Sequence, residues 1–388
     1  MIDKEPLFGK TIEELQDLVR KQNLPPFTAS QIARWLYRAH IQDIGNMTDL
    51  SKKARTLLEE RYSLGLDAPK HVSVSRDGTK KYLFPVRIPL PLAEKSDFFS
   101  STLPPLNSIQ ESSPILHRGE NRWIETAFIP EQERATLCLS TQVGCKMGCR
   151  FCLTGKQGFQ GNLTAGQILN QYESLPEREQ ITNFVYMGMG EPLDNLEEVL
   201  KSLRILTSPW GYGFSPSRIT VSTIGILPGM NRYLEECSSH LAVSLHSPFE
   251  EERRLLMPIE ARYPLPEILK TLRSFDLPKQ RRISFEYIVF DGINHSPAHV
   301  KELARILQGI RCRINLIRFH AHPEPIPLPD GRVLSSASEE QILEFQKRLN
   351  AKGLRTTVRK SRGEDISAAY GLLSTRSKFD QVDQNRYT

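Results

Sequence analysis

The chain has no apolar run near the roughly 18 residues that a membrane-spanning helix needs. Nothing at Met1-Ile2-Asp3-Lys4 resembles a secretory signal. Neither a membrane-embedded nor an exported protein is expected. Tryptophan is scarce, with 3 residues in 388, and cysteine is sparse, with 6. So few cysteines do not staple a chain of this size. Clustered cysteines without an export signal point to metal binding or catalysis rather than to bridges. A strong charge of either sign is also missing: 51 Lys and Arg against 45 Asp and Glu leave a formal charge of +6. That balance is compatible with a nucleic-acid partner without defining one. Two nucleotide motifs begin and then fail. Gly9-Lys10-Thr11 imitates the tail of a phosphate-binding loop, but the loop's first Gly would be position 4, which is Lys4. Gly188-Met189-Gly190 opens like a dinucleotide fingerprint, but position 193 is Leu193.

What is present is concentrated. Three of the six cysteines stand within eight residues, in Cys145-Lys146-Met147-Gly148-Cys149-Arg150-Phe151-Cys152. A structural zinc ion wants four thiolate or imidazole ligands. This stretch supplies three, no His or Cys follows closely, and Cys138 upstream is the candidate fourth. Three thiolates suit an iron–sulfur cubane with one iron left open to a substrate oxygen or nitrogen. The spacing favours iron–sulfur, with zinc as the alternative.

With 39% hydrophobic and 25% charged residues the composition is that of a globular chain, and 388 residues leave room for about two to three domains. Residues 1–66 read as three short helices. Thr11-Ile12-Glu13-Glu14 fits a capping box, Thr28-Ala29-Ser30-Gln31 offers a second, and Asp49 or Ser51 can start the third helix. Residues 67–134 read as a β extension. It holds a hairpin with a two-residue turn at Asp77-Gly78, a Pro- and Ser-rich insertion over 87–118, and a strand over 122–129. Residues 135–370 alternate strand and helix, with strands expected at 136–140, 183–187, 219–223, 241–245, 283–290 and 314–319. Six such units argue for an α/β fold with a parallel sheet covered by helices. A partial (β/α)6 barrel is preferred to a doubly wound sheet. Residues 371–388 form a C-terminal tail. In either fold ligands bind at the C-terminal ends of the strands, and the cysteine loop follows the first of them.

Later strand ends carry Gly188-Met189-Gly190-Glu191-Pro192, Ser222-Thr223 and Ser244-Leu245-His246. Two glycines let a ligand approach the backbone, and Glu191 is an acceptor for an ammonium group. Singly, each is an ordinary turn. Four successive strand ends bearing Cys, Gly-Glu, Ser-Thr and Ser-x-His would all face one mouth. Glu125, by itself, reads as a solvent-facing strand residue. Residues 352–362 are strongly basic and would suit a phosphate backbone, with Arg253-Arg254 and Arg281-Arg282 extending the patch.

Together these segments resemble the radical S-adenosylmethionine RNA methyltransferases of the RlmN/Cfr type. The resemblance rests on Cys138-Leu139-Ser140-Thr141-Gln142-Val143-Gly144-Cys145, the cysteine cluster, the Gly188-to-Pro192 turn and Ser222-Thr223-Ile224-Gly225. Ser244-Leu245-His246, Asn315-Leu316-Ile317 and Val358-Arg359-Lys360-Ser361-Arg362-Gly363 complete it. It implies a 4Fe–4S cluster on Cys145, Cys149 and Cys152, and S-adenosylmethionine at Gly190, Glu191, Ser222, Ser244 and His246. It also implies Glu125 as proton acceptor and Cys138 as the thiol that resolves a covalent intermediate. The substrate it implies is an adenine ring carbon of ribosomal RNA, and for some members transfer RNA. Its partners would be that RNA and a reductant protein such as flavodoxin, with the enzyme a cytoplasmic monomer.

In that family one S-adenosylmethionine methylates a cysteine near the C-terminus. A second, cleaved to a 5′-deoxyadenosyl radical, activates the methyl for addition to the base. Two positions depart from the pattern. Tyr370 stands where the family has the methyl-carrying Cys, and Arg318-Phe319-His320 stands where it has Pro-Trp-Asn. A phenol does not form the disulfide that frees the product. The alternatives are another methyl carrier such as Cys312 or Cys237, a different radical reaction, or an RNA-binding relative without methyl transfer.

Overall fold

The computed structural model describes residues 4–88, 122–278, 280–321, 324–369, 371–373 and 375. Most of the Pro- and Ser-rich insertion, almost all of the tail and Tyr370 lie outside the described residues.

Three helices open the fold: α1 (Ile12–Lys21), α2 (Thr28–Tyr37) and α3 (Lys52–Arg61). Thr11 caps α1 with the expected box. Its side chain accepts from Glu14 N–H, and the Glu14 carboxylate accepts from Thr11 N–H, a device that contributes about 1 kcal/mol. The second expected box does not form. Thr28 is already helical, and the N–H groups of Thr28 and Ala29 donate to the carbonyls of Pro25 and Pro26. The prolines turn the chain into the helix, so no side-chain cap is needed. Ser51 caps α3, while Asp49 takes hydrogen bonds from Arg34 and Trp35 instead. The helical part docks on the rest through Tyr37, which meets Trp210 and Tyr212, and through Arg38, which donates to the carbonyls of Pro209 and Gly211.

A single sheet of ten strands follows: β1 (His71–Val74), β2 (Lys80–Val86), β3 (Arg122–Pro130), β4 (Ala135–Cys138), β5 (Asn183–Tyr186), β6 (Ile219–Thr223), β7 (His240–Ser244), β8 (Ile283–Val289), β9 (Cys312–Arg318) and β10 (Thr356–Val358). They lie in the sheet in the order in which they occur in the chain. β1 to β4 pair antiparallel, and every pair from β4 to β10 is parallel. Sequential order excludes a doubly wound sheet, in which the order reverses at a switch point. The helices between the parallel strands are α4 (Leu153–Gln157), α5 (Ala165–Glu173), α6 (Leu196–Thr207), α7 (Leu227–Glu236), α8 (Glu250–Leu256), α9 (Leu265–Ser274), α10 (Pro297–Ile306) and α11 (Glu339–Ala351). The architecture is thus the expected partial barrel, with a seventh parallel strand, β10, inside the segment read only as basic.

The β1–β2 hairpin differs in its turn. Ser75 N–H donates to the Thr79 carbonyl, which leaves Arg76, Asp77 and Gly78 in the loop, with Gly78 at φ +85°. That is the three-residue hairpin loop with a left-handed last residue, which matches strand twist as the two-residue form does.

Strand alternation then sets the interior. Val221, Leu241, Val243, Phe285 and Leu316 point one way and are buried. The intervening residues, among them Thr136, Asn183, Thr220, Ser284, Asn315 and Thr357, point the other way and line a cavity of about 590 Å³. A closed barrel fills its centre with branched apolar side chains. Here polar side chains face inward and keep the centre open.

Candidate active site

The cysteine loop leaves the C-terminal end of β4 and is pinned at both ends. Gln142 and Val143 pair with Asn162 and Gly161, which closes the loop at its base. Gly144 has φ +69°, and a Cβ there would lie 1.6 Å from the Gly158 carbonyl oxygen. Only Gly fits that crossing. Arg150 N–H donates to the Leu256 carbonyl at 3.0 Å, which ties the loop to α8. Cys145, Cys149 and Cys152 all line the cavity. Burial pushes all three thiols above their ordinary pKa, and neighbouring cysteines add to the rise at Cys145 and Cys149. Three thiolates here are costly unless a cationic centre compensates them.

Among the described residues no three thiols, imidazoles or carboxylates converge closely enough to share one metal ion. A cubane takes one thiolate on each of three irons and leaves the fourth open, whereas a structural zinc ion wants four ligands where this loop offers three. The donor set therefore fits a 4Fe–4S cluster.

The neighbouring strand end interlocks with this loop. Gln142 Oε1 accepts from Glu191 N–H at 2.9 Å, and Lys146 pairs with Asp194 at 2.8 Å. Gly190, at φ +99°, passes so close to Gln142 that a Cβ would lie 2.6 Å from that residue's Cβ. The Glu191 carboxylate is buried and accepts from the N–H groups of Leu193 and Ile224, each at 3.0 Å. Burial pushes its pKa up to about 7 against the pull of Thr223 and these N–H groups, and Asp194 adds to the rise. Gly190, Glu191, Ser222 and Ser244 all line the cavity. His246 does not. It is fully buried at φ +56°, accepts from Ile288 N–H through Nδ1 at 3.0 Å, and meets the Phe151 ring edge-on at 4.8 Å. Its place is beneath the cysteine loop. Burial, with Arg253 nearby, lowers its pKa to about 3, so the ring is neutral.

Cys138 ends β4 on the cavity wall and packs against Ala127 and Ala368. Burial raises its pKa to about 12, while Met187 N–H and Arg359 pull the other way. Glu125 lies on β3, two residues before Ala127 and on the same face. It is fully buried, which overturns the solvent-facing reading, and it is set behind the cavity lining rather than in it. Lys81, only 5% exposed, approaches the Glu125 carboxylate at 3.2 Å and donates to the Ser367 carbonyl at 3.1 Å.

The C-terminal segment crosses the cavity between two anchors. On one side, Gly363 N–H donates to Asp77 at 3.0 Å and Ser75 Oγ to Asp365 at 2.6 Å. On the other, Leu153 N–H donates to the Gly371 carbonyl at 2.8 Å and Thr154 Oγ1 to the Leu373 carbonyl at 2.6 Å. Ala369 and Gly371, the neighbours of position 370, both line the cavity. His320 lines it too, 3.0 Å from Ser361 Oγ.

Sequence reasoning missed two residues and misplaced others. Glu286 is a fully buried carboxylate on the cavity wall, held by Asn315 at 2.7 Å and Ser284 at 3.1 Å, with Arg359 at 3.4 Å. Its signal was the alternation of Ser284 and Glu286 in an otherwise apolar strand. Lys81 gave none beyond its place in the hairpin. Arg253 and Arg281 do not extend a surface patch. Arg253 is fully buried, pairs with Glu260, and donates to the carbonyls of Ile224, Ser244 and Leu245. Arg281 donates to the carbonyls of Ser239, Leu234 and Tyr233. Both hold strand ends together. Cys237 and Cys312 are not on the cavity wall, which removes them as methyl carriers facing a bound base.

Comparison with known proteins agrees with this geometry. A family model described as the radical SAM superfamily matches residues 139–305. One described as the ribosomal RNA large subunit methyltransferase N-terminal domain matches residues 6–64. A probable dual-specificity RNA methyltransferase RlmN from Bacteroides thetaiotaomicron is 49% identical over 375 residues, 97% of each chain. A dual-specificity RNA methyltransferase RlmN from Syntrophus aciditrophicus is 38% identical, across 96% of this chain and 97% of that one. The crystal structure of a radical SAM methyltransferase from Sphaerobacter thermophilus superposes with a TM-score of 0.80 at 36% identity, across 95% of this chain and 99% of that one. Likeness of that extent, over helical part, extension and barrel alike, makes this chain a member of the radical S-adenosylmethionine RNA methyltransferases of the RlmN type.

Proposed function

We propose that this chain methylates a ring carbon of adenine in ribosomal RNA, and in transfer RNA as well. The observation that carries the reading is convergence. The three loop cysteines, the Gly190-Glu191 turn, Ser222, Ser244 and Cys138 line one polar cavity large enough for a nucleoside. Such a ring carbon is not nucleophilic, so direct methyl displacement fails and radical addition is required. When bound, the cluster supplies the electron that cleaves S-adenosylmethionine to a 5′-deoxyadenosyl radical. Cys145, Cys149 and Cys152 would hold it. Gly190, Ser222 and Ser244 would contact S-adenosylmethionine, and the Glu191 carboxylate would receive its ammonium group. His246 would support this site from below the loop. Glu125 would accept the proton lost by the base, reached past Ala127 and Cys138. Cys138 would stand where the family's resolving thiol stands, and the resolving step needs a partner thiol that Tyr370 does not supply. In this reading the barrel spans 135–370, preceded by the helical part over 1–66 and the extension over 67–134, with the tail at 371–388. A flavodoxin-type reductant, a cytoplasmic location and a monomeric state belong to the same reading. The described residues contain no helix long and apolar enough to cross a membrane.

The test is mass spectrometry of a quenched anaerobic reaction containing reconstituted protein, reductant, S-adenosylmethionine and a ribosomal RNA fragment. Methyladenine together with 5′-deoxyadenosine is the expected result. 5′-Deoxyadenosine alone would leave radical generation without methyl transfer, and neither product from cluster-loaded protein would sink the reading.

The raised Glu191 pKa gives a pH dependence. Below about 7 the carboxyl is protonated and offers an ammonium group no charge; above it the anion is present. Affinity for S-adenosylmethionine is expected to fall as pH drops through about 7, and Glu191→Gln is expected to flatten that dependence at a low plateau. Equilibrium binding across pH checks both. An unchanged titration in the variant would remove Glu191 from the ammonium site.

A further inference from the structure

The cavity has a second end. The cysteines and Glu191 sit at the C-terminal ends of the strands, but the lining continues down to the N-terminal ends. There five successive parallel strands each present a cation or an imidazole. Arg218 immediately precedes β6, His240 begins β7, Arg282 immediately precedes β8, Arg313 is the second residue of β9, and Arg355 immediately precedes β10. The register sets His240 beside Arg282 and Arg313 beside Arg355, with Arg218 offset by two residues from His240 and Arg313 by two from Arg282. Thr220 pairs with His240, the pairing of Leu241 with Ile283 places His240 beside Arg282, and that of Ile314 with Thr356 places Arg313 beside Arg355. Arg218, His240, Arg282 and Arg313 line the cavity.

Among the described residues no carboxylate forms an ion pair with Arg218, Arg282 or Arg313. Arg218 reaches an amide oxygen, Asn183 Oδ1, at 3.3 Å. Arg313 has its pKa lowered by burial and then by Arg282 and Arg355, with Glu286 the opposing charge. His240 is 7% exposed, and its Nδ1 accepts from Arg282 N–H at 3.1 Å. The ring proton therefore sits on Nε2, a buried atom with no hydrogen-bond partner. A cavity floor of guanidinium groups with a buried, unpartnered N–H donor suits an anion.

We propose that this floor is a phosphodiester-binding site, which grips the RNA backbone beside the target adenosine while the base extends toward the cysteine end. The inference rests on the RNA methyltransferase reading above. Spacing supports an RNA strand over a free anion. His240 and Ser244 lie four positions apart on β7, about 13 Å at the rise of a strand, a depth that takes an extruded nucleotide lengthwise between the two ends of the cavity. Arg218, Arg282 and Arg355 are also exposed at the outer edge, where a longer strand continues.

The test uses full-length, cluster-loaded protein and a short single-stranded RNA with one adenosine, its affinity measured across salt concentration. The Arg282→Gln/Arg313→Gln variant is expected to bind at least about tenfold more weakly. Its salt dependence should be shallower by about 0.7 in the log–log slope for each phosphate it no longer neutralises. The Lys variants at the same positions should recover most of the slope, which a purely structural role would not predict. The same RNA with methylphosphonate linkages flanking the adenosine should bind the wild type more weakly and the Gln variant no differently. If the wild type binds RNA but ignores the methylphosphonates, or the Gln variant keeps its affinity and slope, the site is wrong and the methyltransferase reading stands. If the Gln variant loses affinity for inorganic phosphate alone, the floor holds a free anion and the inference fails. A wild type that binds no RNA overturns both.

Discussion

In a Tyr370→Cys variant, methyladenine formed per 5′-deoxyadenosine released is expected to rise at least about tenfold, roughly 1.4 kcal/mol at the partitioning step. The expectation follows from chemistry and anchoring. A thiol ionises near pH 8.5 and a phenol near 10, and sulfur is the better nucleophile toward a methylsulfonium. A thioether can also be released by disulfide formation, which an aryl ether cannot. The anchors on either side need no adjustment. Gly371 is held to Leu153, next to Cys152, and Ala368 packs against Cys138. Product ratios from a single quenched reaction check this, together with a methyl group's added mass on the peptide containing position 370. A ratio equal to that of the wild type would mean that the methyl does not travel through this position.

Glu125→Gln is expected to lower turnover by about 100-fold or more, the usual weight of a positioned base, while leaving the Michaelis constant for RNA near its wild-type value. The same change removes one partner of a buried ion pair and is expected to cost about 3 kcal/mol of stability. The two effects separate because they are read differently. Thermal melting of cluster-loaded protein reports the pair with Lys81, and turnover at a temperature where the variant is folded reports the base. Glu125 stands behind the lining residues, so a variant that melts earlier but turns over normally would make it a structural partner of Lys81 and nothing more.

Local chemistry was the legible part of the sequence. The α1 capping box, the helical spacing and the alternation of strand and helix depend on residues a few positions apart, and they were read correctly. The cysteine spacing was legible for the same reason. Long-range burial was not. Arg253 and Arg281 looked like surface charge because the carbonyls that receive them come from other strands and loops. His246 looked like a wall residue because it follows a strand end, yet its left-handed backbone turns the ring under Phe151. Glu125 looked solvated because nothing near it in sequence announces Lys81, which arrives across the neighbouring strand. The capping box at Thr28 failed for a local reason that the pattern did not weigh, the pair of prolines just before it.

The strand order has a consequence for how firmly different parts are held. Each strand is joined to its predecessor in the chain, so the sheet is knit from connections of modest span. The segment over 363–373 is different. Its ties to Ser75, Asp77 and Lys81 span 286 to 290 residues of chain, and of its buried side chains, Ala368, Ala369, Leu372 and Leu373, only Leu373 joins the main core. Little of the core depends on it. It can lift away without the barrel melting, as the least stable unit of an otherwise cooperative structure. Its backbone amides are expected to exchange with solvent well before those of the parallel strands beneath, by a local opening that would admit a base and release a methylated one.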